Sequence, residues 1–290
     1  MESIESRKVI PKISVIIPSY NQGIFLEETL LSILKQEYPN FEIIIIDGGS
    51  TDTTIQVIKK YSSDITYWVS EKDKGQSHAV NKGIRIASGD FICWQNSDDV
   101  FWPGAFEHFC NAYREHPGYD VYFGHQAIID QDSKTKFINY FVPFHVLHLR
   151  YYGWNITNQT SFFRAAILKS NLLDESLHYT MDYDLYLRLG TQHVKFFLIN
   201  HILGALREYS TTKSNTFSSD LIIKEKSKIC RRLFNSDLEN RSVIKTAFIV
   251  RYYYFLLLYG NLFKHLSRII SNKLMKVVGS RNYFFFGSTN

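Results

Sequence analysis

The chain has 290 residues, 45% of them hydrophobic, with ordinary Gly and Pro counts of 15 and 6, which excludes disordered and fibrous classes and allows one large core or two smaller ones. Net charge is +5, but residues 240–290 hold eight Lys and Arg and no Asp or Glu, so residues 1–239, with 25 basic against 28 acidic, carry −3. A slightly acidic body lacks the basic face that a phosphate backbone requires, and nucleic acid is excluded as a partner.

In chain order, the charged start "MESIESRKVIPK" has no apolar signal segment. "KISVIIPSY" is a β-branched apolar run closed by Pro18, the pattern of a strand buried on both faces. "IFLEETLLSILKQ" sets Phe25, Leu26, Leu30, Ile33 and Leu34 on one helical stripe that ends at Tyr38 and Pro39. "FEIIIID" is a second strand, and "GGSTDTT" a tight turn with an Asp/Thr cap for the helix "TIQVIKKYS". "DITYWVSE" reads as a third strand, residues 77–87 as a helix, and "GDFICWQN" as a fourth strand. Strands alternating with helices predict an α/β fold with a mostly parallel, doubly wound sheet and helices on both faces. Next come a helix at "GAFEHFCNAYREH" and a strand at "YDVYFGHQAIID", then an irregular region to Asn158. "QTSFFR", "VKFFLIN" and "HILGALRE" predict three further strands, "MDYDLYLRLG" a helix with Asp182 in its first turn, and everything past Thr216 a helical extension.

In such a sheet ligands bind at the carboxyl ends of the strands. Four polar segments would converge there: Pro18-Ser19-Tyr20-Asn21, Asp47 to Asp52, Glu71 to Gly75, and Asn96-Ser97-Asp98-Asp99. The G-x-G-x-x-G and G-x-x-x-x-G-K-[ST] loops are absent, which disfavours a dinucleotide enzyme or a P-loop ATPase. Asp98 and Asp99 admit two readings. Adjacent carboxylates repel each other, and a hard cation such as Mg²⁺ or Mn²⁺ relieves the repulsion while leaving positions open for substrate phosphates. The same residues could instead cap the helix that begins near Pro103. Local sequence leaves the two level.

Taken together and in order, "ISVIIPSYNQGIFLEETLLSILKQ", "IIIIDGGSTDTT" and "SEKDKGQSHAVNKGIRIASGDFICWQNSDD" resemble the inverting glycosyltransferases of family 2, which have the GT-A fold. The resemblance is dense over residues 12–104 and thinner to about Ser214. It implies a Rossmann-like nucleotide-sugar-binding half at residues 1–104, an acceptor-binding half at 105–215, and a basic, aromatic-rich tail at 216–290. It also implies transfer from a nucleotide-diphosphate sugar, UDP-linked by the family's default, to a saccharide or lipid-linked acceptor. Pro18, Ser19, Tyr20 and Asn21, with Glu27, would line the nucleotide pocket; Asp47 would pair with the base, followed by Asp52; and Asp73, Lys74, Gly75 and Asn81 would close over ribose and diphosphate. The family's Asp-x-Asp-Asp triplet has Asn96 in its first place here, leaving Asp98 and Asp99 for ribose and divalent-metal contact. Met181 stands where Glu is usual, and Asp182 matches the general base; Asp184 would support the site or pair with Arg188. Gln159, Thr160 and Arg207 would meet the acceptor, and Tyr209 replaces a common His.

The segment 246–263, "TAFIVRYYYFLLLYGNLF", is about 27 Å long as a helix, at the short limit for a bilayer span. Arg251 and four tyrosines suit it better to the surface of an anionic membrane. Cys93, Cys110 and Cys230 form no Cys-x-x-Cys pair and fit a reducing compartment, so the expected place is the cytoplasm, peripheral to the inner face of the plasma membrane. Three other classes compete with this reading. A nucleotidyltransferase needs a Gly-rich basic loop after the first strand, and a receiver domain needs its acidic pair there. A catalytically inactive sugar-nucleotide binder of the same fold is encouraged by Asn96 and Met181.

Overall fold

The computed structural model of the protein describes residues 10–151, 153–210, 212 and 219–235. Segment 246–263 and most of the expected basic tail lie outside the described residues. β1 (Ile13–Ser19) is buried at every position, and β2 (Phe41–Asp47) at all but its first. Such strands have no polar face and must be covered on both sides. Alternation along β1 divides the work: Ile13, Val15 and Ile17 pack with Leu26, Leu30 and Ile33 of α1 (Gly23–Leu34). Ile16 points the other way, to Ala79, Val80 and Ile84 of α3 (Gln76–Ile86).

β1 pairs in parallel with β2 and with β4 (Phe91–Trp94), and β2 pairs in parallel with β3 (Tyr67–Ser70). The spatial order β3-β2-β1-β4 reverses direction between β1 and β4, which creates a crevice at their carboxyl tips. Register keeps those tips level, with Ser19 opposite Asp47 and Asp47 opposite Ser70. α2 (Thr54–Lys60) completes this half.

Beyond β4 the sheet becomes mixed. β8 (Ser161–Arg164) lies antiparallel between β4 and β6 (Val121–Ile129). β9 (Phe196–Arg207) runs parallel to β6 and antiparallel to the two-residue β5 (Val100–Phe101). α4 (Ala105–Glu115), α6 (Ala165–Ser170), α7 (Met181–Thr191) and α8 (Ser219–Phe234) pack around it.

Two sequence expectations need correction. "VKFFLIN" and "HILGALRE" are not separate strands but the single β9; the polar Asn200-His201 pair is absorbed as register shifts beside Gly124, His125 and Gln126. The region before Asn158 is less irregular than expected, since it holds β7 (Thr135–Asn139) and α5 (Val146–Tyr151). β7 is an edge strand with exposed and half-buried residues, so it lacks the apolar alternation that announces a strand.

β9 passes directly beneath the 3₁₀ turn Asn158–Thr160. A Cβ at Gly204 would lie 2.1 Å from the carbonyl oxygen of Gln159. Gly204→Ala should therefore destabilise the protein by about 1–3 kcal/mol, the usual range for overpacking, read as a lower urea midpoint at unchanged m-value. An unchanged midpoint would mean that this close approach is not a constraint.

Candidate active site

A cavity of about 730 Å³ opens at the tips of β1 and β4. Pro18, Ser19 and Tyr20 line it from β1, Gly48 from the β2 turn, Lys72, Asp73 and Gly75 from beyond β3, and Asn96 to Asp99 from β4. Its other wall brings in Gln126 of β6, Trp154, Gln159 of the 3₁₀ turn, and Met181 and Asp182 of α7. Tyr20 is 62% exposed, an aromatic ring at the rim free to stack on a flat ligand.

The adjacent carboxylates are not equivalent. Asp99 is 1% exposed, and both of its oxygens are held by the protein. Oδ1 accepts the backbone N–H of Arg207 at 2.9 Å, while Oδ2 accepts Gln159 Nε2 at 2.8 Å and Asn96 Nδ2 at 2.9 Å. Burial, and then the charge of Asp98, raise its pKa to about 8. Asp98 is half-buried on the cavity wall. Its Oδ2 accepts the Tyr209 hydroxyl at 2.9 Å. Burial raises the pKa of Asp98 too, opposed by the Tyr209 hydrogen bond. A hard cation that takes one or two carboxylates and fills its remaining positions with phosphate oxygens and water fits Asp98. Asp99 lines the same cavity, but its oxygens already accept three protein hydrogen bonds. Among the described residues no cluster of three or more His, Cys, Asp or Glu could hold a metal by itself.

Asp182 is half-buried in the first turn of α7 and lines the cavity, with Oδ1 accepting the N–H of Tyr183 at 2.8 Å. Asp184 is fully buried and pairs with Arg188 Nε at 2.9 Å, the i+4 contact foreseen from sequence.

Several expected contacts lie elsewhere. Arg207 is among the residues lining the cavity, but its side chain is wholly buried and spends its donors on the protein. Nε donates to the Asp98 carbonyl at 2.8 Å, Nη1 to Ser133 Oγ at 2.8 Å, and Nη2 to Glu28 at 2.6 Å. Its guanidinium also lies 4.8 Å from the Phe25 ring centroid. Asn81, expected over the diphosphate, is buried against the segment before α7; its Nδ2 donates to the Leu173 carbonyl at 3.0 Å and its Oδ1 accepts Leu173 N–H at 2.9 Å. Glu27 faces α2 and binds Lys60 and Tyr61, each at 2.6 Å. Asp47, Asp52 and Asn21 build the turn beneath the site. Asp47 accepts Ser50 N–H at 2.9 Å and Ser70 Oγ at 2.6 Å, Asp52 accepts Gly23 N–H at 2.9 Å, and Asn21 Oδ1 accepts Thr51 N–H at 2.9 Å. Lys74 is exposed away from the lining, where Lys72 stands instead, and Thr160 is buried within its own turn.

A family model described as Glycosyl transferase family 2 matches residues 14–172. The chain belongs to glycosyltransferase family 2. Among family 2 relatives, an uncharacterized glycosyltransferase of Rickettsia typhi is 34% identical over 194 residues, which is 61% of this chain and 58% of that protein. The chain thus spans somewhat over half the length of that relative. The structure of Staphylococcus aureus TarS 1–349 in complex with UDP-GlcNAc superposes with a TM-score of 0.61 at 20% identity, covering 86% of this chain and 74% of that one. The mannosyltransferase PcManGT of Pyrobaculum calidifontis, in complex with GDP-Man and Mn²⁺, superposes at 0.54 with 13% identity, covering 94% and 89%. These likenesses identify the family 2 fold as GT-A.

Sequence reading missed several wall residues of the family 2 site: Gln22, Gln76, Gln126, Trp154 and Asn158. Gln22 and Gln76 lie inside segments that carry the family resemblance, whereas Gln126, Trp154 and Asn158 reach the wall from later parts of the chain. Asn158 Nδ2 is buried on the wall with no hydrogen-bond partner among the described residues.

The raised pKa of Asp99 has a stability consequence. Between its ordinary value of 3.8 and about 8, the folded state holds a proton that the unfolded chain has released, so this contribution is full below pH ~4 and is lost as pH rises through about 8. In metal-free protein, unfolding free energy should therefore fall from pH ~5 to pH ~8, and Asp99→Asn should flatten that decline. A variant with the wild-type slope would place the proton elsewhere.

Proposed function

We propose that this family 2 member transfers a sugar from a UDP-linked donor to a hydroxyl of a saccharide or lipid-linked acceptor, with inversion at the anomeric carbon. The observation that carries the reading is the meeting in one cavity of Asp98, at the tip of β4, and Asp182, in the first turn of α7. One supplies anionic metal-binding chemistry where a diphosphate would lie, and the other a carboxylate where an attacking hydroxyl would arrive. The UDP-GlcNAc bound by TarS supports a UDP-sugar donor, and the GDP-Man and Mn²⁺ bound by PcManGT support a nucleotide sugar held with a cation.

In this reading Tyr20 stacks at the rim, Asp73 and Lys72 flank the entrance, and Asp98 lies beneath the diphosphate. A bound Mg²⁺ or Mn²⁺ supplies neutralisation of the leaving diphosphate. The Asp182 carboxylate takes the proton of the acceptor hydroxyl as its oxygen bonds to the anomeric carbon and the bond to the diphosphate oxygen breaks. Gln159 holds Asp99 and lines the same wall, which supports a role in contacting sugar there. The acid-free, basic composition of residues 240–290 favours an anionic membrane surface and hence a lipid-linked acceptor.

An inactive sugar-nucleotide binder is the second reading, and Asn96 argues against it. Its Nδ2 donates to Asp99 and its Oδ1 accepts Gln76 Nε2 at 2.7 Å. A third carboxylate at that place would repel the buried pair, so the amide stabilises the site instead of disabling it. Met181 likewise serves packing, its sulfur 2.8 Å from Ser77 Oγ.

UDP-hexoses and UDP-N-acetylhexosamines, screened by thermal shift with and without Mn²⁺, should include at least one that raises the melting temperature more when Mn²⁺ is present. With that donor, Asp182→Asn should lower transfer about 10²–10⁴-fold at an unchanged thermal shift. Undiminished turnover in Asp182→Asn would refute the base, and no stabilisation by any UDP-sugar would refute the donor class.

A further inference from the structure

The family match ends at residue 172, and α8 lies beyond it. Yet α8 is bonded to the one helix that carries the proposed base. Glu225 of α8 reaches across to the chain entering α7: its Oε1 accepts the N–H of His178 at 2.8 Å. Its Oε2 accepts the N–H groups of Tyr179 and Thr180, each at 3.0 Å, and the Thr180 hydroxyl at 2.8 Å.

Thr180 is the N-cap residue of α7, and its side chain makes no cap hydrogen bond within that helix. A threonine there ordinarily accepts from the first turn's own backbone. Here the hydroxyl donates to Glu225, so one carboxylate from another helix fixes three consecutive residues ahead of Met181 and Asp182. The next turn is held from the same helix: Arg232 binds Asp184, and also Asp174 at 2.9 Å. Ile229, fully buried, fills the space between these two polar tethers.

We infer that Glu225 is a positioning residue for Asp182, and that α8 belongs to the catalytic unit as the clamp that sets where the base meets the acceptor hydroxyl. The inference rests on Asp182 being the base. The physical ground is that a side chain on a first turn moves with that turn. A displacement near an ångström at a reacting group costs far more in rate than in binding. Glu225 does not itself line the cavity; it meets the lining only through the backbone N–H of Tyr179 on the α7 side, away from the strand tips, so donor binding at those tips should not depend on it.

Full-length Glu225→Gln separates these roles. The amide keeps one acceptor oxygen but turns its other arm into a donor facing N–H groups, so the clamp opens while the side chain's volume is preserved. With the UDP-sugar found in the screen above, kcat for transfer should drop at least tenfold, while KM for that donor and Kd for UDP stay within twofold. Amide hydrogen exchange at His178, Tyr179 and Thr180 should quicken. Ile229→Ala serves as the packing control, with a lower melting temperature but kcat within twofold well below it. A Glu225→Gln kcat within twofold of wild type would overturn the inference. So would an Ile229→Ala loss as large as that of Glu225→Gln, because α8 would then act through packing alone. If Asp182→Asn keeps full turnover, the base assignment fails first. If Asp182→Asn is inactive and Glu225→Gln is normal, only the clamp fails.

Discussion

Asp99 sits at 1% exposure with three donors from three separate parts of the chain: Asn96 three residues back, Gln159 on the 3₁₀ turn before β8, and the backbone of Arg207 at the end of β9. A buried carboxyl group without hydrogen-bond partners would cost several kcal/mol, and even with these partners burial raises the pKa of Asp99 to about 8. Its three bonds therefore oblige the parallel half of the sheet and the mixed half to meet at one point. Arg207 extends the same knot. Its side chain ties the Asp98 carbonyl to Glu28 on α1 and to the β6–β7 turn, and is itself covered by Phe25. Both carboxylates line the cavity, but Asp99 accepts from Asn96, Gln159 and the Arg207 backbone, whereas Asp98 accepts from the Tyr209 hydroxyl. The division of labour within one acidic pair is thus a matter of which member receives the donors.

The rest of the site follows from that anchoring. The reversal of strand order between β1 and β4 opens the crevice, and level registers bring Ser19, Asp47 and Ser70 to one rim. The second wall needs a helix whose first turn points into the crevice. α7 meets that need because its buried residues Tyr183, Leu185, Tyr186 and Leu187 pack with Trp94 and Phe163 from the sheet. The tethers from α8 then fix its entry. The two walls of the cavity are accordingly built by different physics: strand tips on one, and a tethered helix end on the other.

Much of the first half was legible in the sequence. β1, β2 and β4 are apolar runs because parallel strands are covered on both faces, and polar residues at their ends mark the rim without any need of long-range information. Asp98 lines the cavity for that reason, whereas Asp182 reaches it from the first turn of α7. What could not be read was how carboxylates and amides pair across the chain. Asp98 and Asp99 are adjacent and chemically identical, and only Gln159 and Arg207, far along the sequence, distinguish them. Asn81 lies in a motif that suggests a ligand contact, but Leu173 claims its amide. Arg207 resembles a surface cation until Glu28 and the β6–β7 turn close over it. Glu225 carried no local signal at all, since its partners are backbone N–H groups nearly fifty positions earlier.

The central claim is that Asp98, and not the Asp98–Asp99 pair, provides the protein's carboxylate for a divalent cation beneath a diphosphate. Mn²⁺ binding followed by electron paramagnetic resonance in the presence of UDP measures this without requiring turnover. Wild-type protein should bind one Mn²⁺ per chain when UDP is present, and Asp98→Asn should lose that site while retaining its folded far-UV signal. Unchanged Mn²⁺ binding in Asp98→Asn would contradict the account.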